Sequence, residues 1–190
     1  MRSAIAFLLT LAVLCAFQTA TALVDKKAAL NAFEYLNKVR RKPADYCQTL
    51  HFSPYQVQPR AALIWNDTLA LIAERKAMDM ATRNYFAHVD PYGYGMNHHI
   101  DEGGYKLEAK WLKDARDNNF EALQGGADTG VDAIRDLILD RDTPSRGHRL
   151  HLLGVGSWNA SLVDIGIGFV RSYKPTKYDT YVCVLIAKHK

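Results

Sequence analysis

Apolar residues recur at helical spacing in three stretches of this chain and at strand spacing in two. Between Ala28 and Arg41, the residues Ala29, Phe33 and Leu36 share one face, with Leu30 and Val39 beside them, and Pro43 ends the helix. Asn66 is placed to cap a second helix whose stripe is Leu69, Ile72, Ala73, Ala77 and Met80. Asp128 or Thr129 can cap a third, carrying Val131, Ile134, Leu137 and Ile138. Asn97 to Glu102 reads as a short helix stopped by Gly103-Gly104. Ile165, Ile167 and Phe169 alternate with Gly166 and Gly168, the pattern of a buried strand with close packing, and Thr180 to Ala187 is a nearly all-apolar strand. The segments His51–Arg60, Ala87–Gly95, Tyr105–Asn119 and Arg141–His148 read as loops. Helices come first and strands mostly last, which predicts an α+β fold rather than alternating βαβ units.

The first apolar run has a different meaning. Arg2 precedes Ala4 to Phe17, an uncharged stretch, and Ala20-Thr21-Ala22 fits the small-x-small rule for signal peptidase. The run is shorter than the roughly 20 residues a membrane-spanning helix needs. The expectation is a signal peptide over residues 1–22 and one domain over 23–190, with no transmembrane segment after cleavage; an uncleaved anchor is the alternative. The address is secreted and extracellular, or periplasmic in a Gram-negative host.

Export changes the reading of the cysteines. Cys15 leaves with the signal, and Cys47 and Cys183 remain as an even number in an oxidising setting. A disulfide bond between them would contribute about 4–5 kcal/mol by loop closure; two separate buried thiols are the alternative. Asn66-Asp67-Thr68 and Asn159-Ala160-Ser161 are N-glycosylation acceptors in a eukaryotic host. The formal net charge of +4 is small and dispersed, which argues against nucleic acid as partner. The one dense basic run, Lys38 to Lys42, reads as a solvated helix end.

Seven histidines are present, but there is no HExxH, no cysteine cluster with zinc spacing, no GxGxxG, no P-loop and no Gly-x-Ser-x-Gly. No organic cofactor is expected. His88 and His148 stand out because each follows a predicted helix within a turn-rich loop, where functional side chains concentrate.

Several stretches then appear in a telling order: Leu36-Asn37-Lys38-Val39-Arg40-Arg41-Lys42-Pro43-Ala44, Leu63-Ile64-Trp65-Asn66-Asp67-Thr68-Leu69, Tyr85-Phe86-Ala87-His88-Val89-Asp90-Pro91, Ser145-Arg146-Gly147-His148-Arg149 and Asp164-Ile165-Gly166-Ile167-Gly168. Together they resemble the CAP superfamily (cysteine-rich secretory, antigen 5 and pathogenesis-related 1 proteins; the SCP-like domain), in its cysteine-poor branch, from about Ala28 to Ala187. The resemblance implies a three-layer α-β-α sandwich with a cleft holding two histidines and two acids. His88 and His148 match the histidines. Glu121 in Asn119-Phe120-Glu121-Ala122 matches the first acid, although Ala122 replaces the usual Asn. Asp140 takes the second place, one methylene shorter than the usual Glu, with Asp142 as competitor.

Such a cleft can bind Zn²⁺ or another divalent metal through imidazole nitrogens, with carboxylates on the outer ring N–H or on a bound water. It can equally be a hydrogen-bonded polar core, with Arg146 and Arg149 pairing Asp90, Asp140 or Asp142. The resemblance implies a secreted binding module for lipids, sterols or cell-surface proteins, with the Tyr92–Met96 loop and Trp111 as contact candidates. A metal-dependent, peptidase-like hydrolase using His88, Glu121 and His148 is the alternative, and a defence-type protein acting through its stable fold and surface loops is a third reading.

Overall fold

The computed structural model describes residues 20–188. The segment read as a signal, up to Thr19, and His189 both lie outside the described residues. No helix among the described residues is long and apolar enough to cross a membrane.

The elements in chain order are β1 (Ala22–Val24), α1 (Lys26–Arg41), β2 (Ile64–Trp65), α2 (Asp67–Arg83), α3 (Met96–Glu102), β3 (Glu121–Gly125), α4 (Gly130–Leu139), α5 (Gly147–Leu153), α6 (Ser157–Ala160), β4 (Asp164–Ser172) and β5 (Thr180–Ala187). The three main helices begin where side-chain oxygens satisfy free backbone donors. Asp25 accepts from Ala28 N at 2.9 Å, Asn66 from Leu69 N at 3.0 Å, and Thr129 from Asp132 N at 3.1 Å. Asn84, in the left-handed conformation at φ 54°, stops α2.

The sheet runs β1-β4-β5-β3, and β2 lies parallel to β4 at Ile64↔Asp164. The long antiparallel β4–β5 pair forms its centre, with Gly168 opposite Cys183. The fold is α+β, with helices on both faces. Gly166 and Gly168 turn toward α2, and they are glycine for a steric reason. A Cβ on Gly166 would fall 2.2 Å from Ala70 N, and one on Gly168 would fall 2.3 Å from the Ala73 carbonyl oxygen. The opposite face carries α1 and α4, whose own approach is set by Gly130, where a Cβ would lie 1.9 Å from Ala28 O. Ile167, Phe169, Val182 and Val184 are fully buried.

Three expectations change here. The disulfide is not formed: Cys47 and Cys183 are both free thiols. Cys183 turns to the α2 face, as its partner Gly168 does, whereas Cys47 follows α1 on the other face. The run Lys38–Lys42 is not uniformly solvated, because Arg40 is buried and donates to Leu152 O at 2.7 Å. Burial and the nearby Arg60 charge lower its pKa to about 10. The sequence reading also contains two strands where the described residues form five. β1, β2 and β3 are too short to show a period of their own.

Candidate functional site

His88 follows the end of α2, and its backbone is tied down from within that helix. The buried Lys76 ammonium donates to the His88 carbonyl at 3.0 Å and to the Tyr85 hydroxyl at 3.4 Å. The His88 ring places Nδ1 2.7 Å from Glu121 Oε2. The Glu121 side chain has no solvent exposure, while that of His88 is 45% exposed, so one partner is fixed and the other looks outward. The second Glu121 oxygen accepts from the Cys183 thiol at 3.5 Å. Burial first, and the Glu121 charge next, push the Cys183 thiol well up, which keeps it a protonated donor.

The second pair is built at the junction of α4 and α5. Asp140 ends α4 in the left-handed region at φ 45°, a conformation that a short Asp side chain tolerates. Its Oδ1 lies 2.8 Å from His148 Nδ1, and its Oδ2 accepts the His148 backbone N–H at 3.0 Å. Burial works to raise the Asp140 carboxyl, but hydrogen bonds from His148 and Thr143 outweigh it and hold the group below its ordinary range. Asp142 is exposed on the adjoining turn. Arg146 and Arg149 do not pair with the acids' side chains. Arg146 donates to the backbone carbonyls of Leu139 and Asp140, and Arg149 to those of Ile138 and Leu139, which closes the C-terminal end of α4. His148 itself lies inside α5 rather than in a loop.

Glu121 and His148 line one cavity of about 460 Å³. Both histidines spend Nδ1 on a carboxylate, which favours the proton on that nitrogen and leaves a lone pair on Nε2. No hydrogen bond among the described residues engages either Nε2. This donor chemistry suits a divalent ion held by imidazoles, with water or ligand completing its shell. No group of three or more His, Cys, Asp or Glu side chains among the described residues is arranged to hold a metal. The two acids therefore stand as orienting partners of the rings.

The family model for CAP, the cysteine-rich secretory protein family, matches residues 33–185. The chain belongs to the CAP family. Its fold is shared with an extracellular protein containing an SCP domain from Bacillus anthracis, at 20% identity and a TM-score of 0.56 over 86% of this chain, which spans only 41% of that longer protein. An outer surface protein from Borrelia burgdorferi is similar at 17% identity and a TM-score of 0.59, covering 89% of this chain and 98% of its own. Venom allergen-like protein 4 from Schistosoma mansoni matches at 15% identity and a TM-score of 0.50, covering 86% and 90%. No curated protein sequence matches the chain. The first two of these CAP-fold neighbours are named as extracellular or surface proteins.

The CAP cavity also contains residues that sequence reasoning missed. His151, three positions after His148 on α5, lies buried in its wall. Its Nε2 meets the Phe120 carbonyl at 3.2 Å and its Nδ1 the Asn159 Oδ1 at 3.4 Å. Desolvation pushes its pKa down to about 4 against those two hydrogen bonds, so the ring is neutral at pH 7. The helical spacing of His148 and His151 was the available signal. Asn159 is one of the glycosylation acceptors, yet its amide turns inward, with Nδ2 donating to Val155 O at 2.8 Å. Of the contact candidates, Tyr92 and Tyr94 are exposed, Met96 is fully buried, and Trp111 lines the cavity.

Proposed function

We propose that this CAP-family chain is a secreted binding module. After export under its residue 1–22 signal, it takes a divalent metal, Zn²⁺ or a similar ion, at Nε2 of His88 and His148. One observation carries the reading: both rings are fixed through Nδ1 to buried carboxylates and leave Nε2 available. Glu121 and Asp140 orient the rings and raise their basicity as ligands. The exposed Tyr92 and Tyr94, on a loop that Asp90 pins through the Tyr92 and Tyr94 backbone N–H groups, supply the surface for a lipid, sterol or cell-surface protein partner.

Elemental analysis of the secreted protein, with mass spectrometry of co-purified lipid, tests this directly. The expected result is about one divalent metal per chain, lost in the His88→Ala/His148→Ala double variant, with partner or lipid affinity retained. A metal-free protein that gains none on dialysis against zinc would remove the metal from the reading. Turnover of a peptide or ester library, abolished by chelation and by the double variant, would replace the binding module with a hydrolase.

A further inference from the structure

Strand β3 stands last in the sheet order, so among the described residues one of its edges has no neighbouring strand. The ladder to β5 identifies the backbone groups on that edge. Gly126 N donates to Thr180 O at 3.0 Å, and Ile186 N donates to Phe120 O at 2.9 Å. Bonded positions of an antiparallel ladder recur at every second residue, so Ala122 and Gln124 spend their N–H and C=O groups on β5. Glu121, Leu123 and Gly125 turn theirs the other way. No hydrogen bond among the described residues engages the Leu123 N–H or carbonyl, and the Gly125 carbonyl takes only the side-chain amide of its neighbour Gln124 at 3.1 Å. These groups differ from the orphan atoms Asn118 Oδ1 and Trp158 Nε1, which are sealed from solvent and offer nothing to a ligand.

A cavity of about 390 Å³ runs beside the open edge. Successive side chains of a strand point to opposite faces, yet Leu123 and Gln124 both line this cavity, which places it along the edge rather than over one face. Its other wall is the end of α4 and the turn into α5. Thr143 and His148 line it and also line the cavity that contains Glu121, so the two are continuous along β3. Three carboxylates, Asp136, Asp140 and Asp142, stand in the wall against one guanidinium, Arg141. Asp140 is spent on His148, whereas Asp136 and Asp142 are exposed and have no cation within ion-pair distance among the described residues. Free donors and acceptors at strand spacing are the template to which an extended peptide adds as a further strand. The excess of carboxylates selects basic side chains on that peptide.

We propose that β3 takes an extended basic peptide segment as an added strand, its backbone paired with Leu123 and its Lys or Arg side chains meeting Asp136 and Asp142. This goes beyond the reading of the chain as a metal-holding module and does not need the metal. The probe is acetyl-(Thr-Lys)₃-amide, titrated with chelator present into ¹⁵N-labelled protein. The controls are acetyl-(Thr-Glu)₃-amide and the basic peptide N-methylated at every residue, which has no backbone donors. In the free protein the Leu123 amide is expected to exchange with solvent faster than those of Ala122 and Gln124, which serve as internal references. The basic peptide is expected to shift and protect the Leu123 amide and leave the two references in place. Both control peptides are expected to bind about tenfold more weakly or worse. Asp142→Asn, a substitution at an exposed turn, is expected to weaken the basic peptide about two- to fivefold. A Leu123 amide that the basic peptide does not move overturns the proposal, as does equal binding of the acidic or the N-methylated peptide. Protection of Leu123 in the free protein that grows with protein concentration assigns the edge to a second copy of this chain and also overturns it. Because chelator is present throughout, a protein that takes up zinc and leaves the basic peptide unbound overturns this inference alone.

Discussion

His88 Nδ1 and Glu121 Oε2 meet at 2.7 Å although they are 33 positions apart in sequence. The contact exists because β3 pairs antiparallel with β5 from Glu121↔Leu185 to Gly125↔Tyr181, which seats Glu121 at the start of its strand under the loop that follows α2. A carboxylate with no exposure cannot follow a mobile ring; it sets where the ring points. Glu121→Gln keeps the shape and an acceptor for the Cys183 thiol but removes the charge. The expected outcome is a zinc affinity lower by about 10–100-fold with an unchanged circular dichroism spectrum. Unchanged affinity in a competition titration would show that the ring needs no orienting partner.

His151 makes stability depend on pH in a defined direction. Its folded pKa is depressed to about 4, whereas an unfolded histidine titrates near its model value of 6.5. Between those values the unfolded chain binds a proton that the folded chain does not, so stability falls as pH drops through that window. The loss attributable to this ring is on the order of 3 kcal/mol by pH 4. Urea denaturation at pH 7.5, 6 and 4.5 measures the slope, and His151→Gln should flatten it relative to the parent. Equal slopes in the two proteins would refute the assignment.

The close seat of α2 on β4 leaves no space for a methyl group. Gly166→Ala would place Cβ 2.2 Å from backbone atoms of Leu69 and Ala70, and backbone cannot rotate aside. Overpacking of this kind costs about 1–3 kcal/mol or more. Gly166→Ala and Gly168→Ala should each lower the thermal midpoint by several degrees, whereas Gly93→Ala meets nothing within 4 Å and reports only the strain of its φ of 96°. A Gly166→Ala protein as stable as its parent would show that the helix can lift off the strand without loss.

Arg40 stabilises the fold as a buried cation with backbone partners. It reaches Leu152 O at 2.7 Å and Ala61 O at 3.5 Å, and so ties α1 to the end of α5 and to the strand-entry loop. Arg40→Leu leaves those carbonyls without their donor and should destabilise by about 1–3 kcal/mol, read as a lower urea midpoint at unchanged slope. Lys38→Leu on the same helix, exposed to solvent, should stay close to the parent.

The helices and the two long strands were legible because each carries its own period: Leu69, Ile72, Ala73, Ala77 and Met80 repeat along one face, and Thr180–Ala187 is continuously apolar. The CAP family was legible from short ordered stretches around His88 and His148. What could not be read depends on pairing between distant segments. The resemblance names Glu121 as a cleft acid, but that it opens a strand continued by Leu123 shows only when β5 pairs with them; Arg40 looks like surface charge until α5 closes over it, and the orphan atoms of Asn118 and Trp158 are orphans only in three dimensions.

The cysteines provide the sharpest contrast between counting residues and placing them. An even number in a chain read as exported suggests a bridge, but Cys183 sits in β5 on the α2 face and hydrogen-bonds Glu121, while Cys47 is half-buried beyond α1. Bridging them would require one thiol to cross the sheet and would take the donor away from the Glu121 carboxylate. The 23–190 chain purified from an oxidising compartment should therefore release two thiols per molecule when unfolded in the presence of a thiol reagent. Its urea midpoint should not move when reductant is added, because a bridge closing that loop would contribute about 4–5 kcal/mol and its reduction would be plain in the curve. Cys47→Ser should be nearly neutral, whereas Cys183→Val, which removes the thiol beneath Glu121, should lower stability and weaken zinc binding together. A chain with no reactive thiol after unfolding would overturn the placement of Cys183 under the carboxylate, and with it the support that fixes Glu121 against His88.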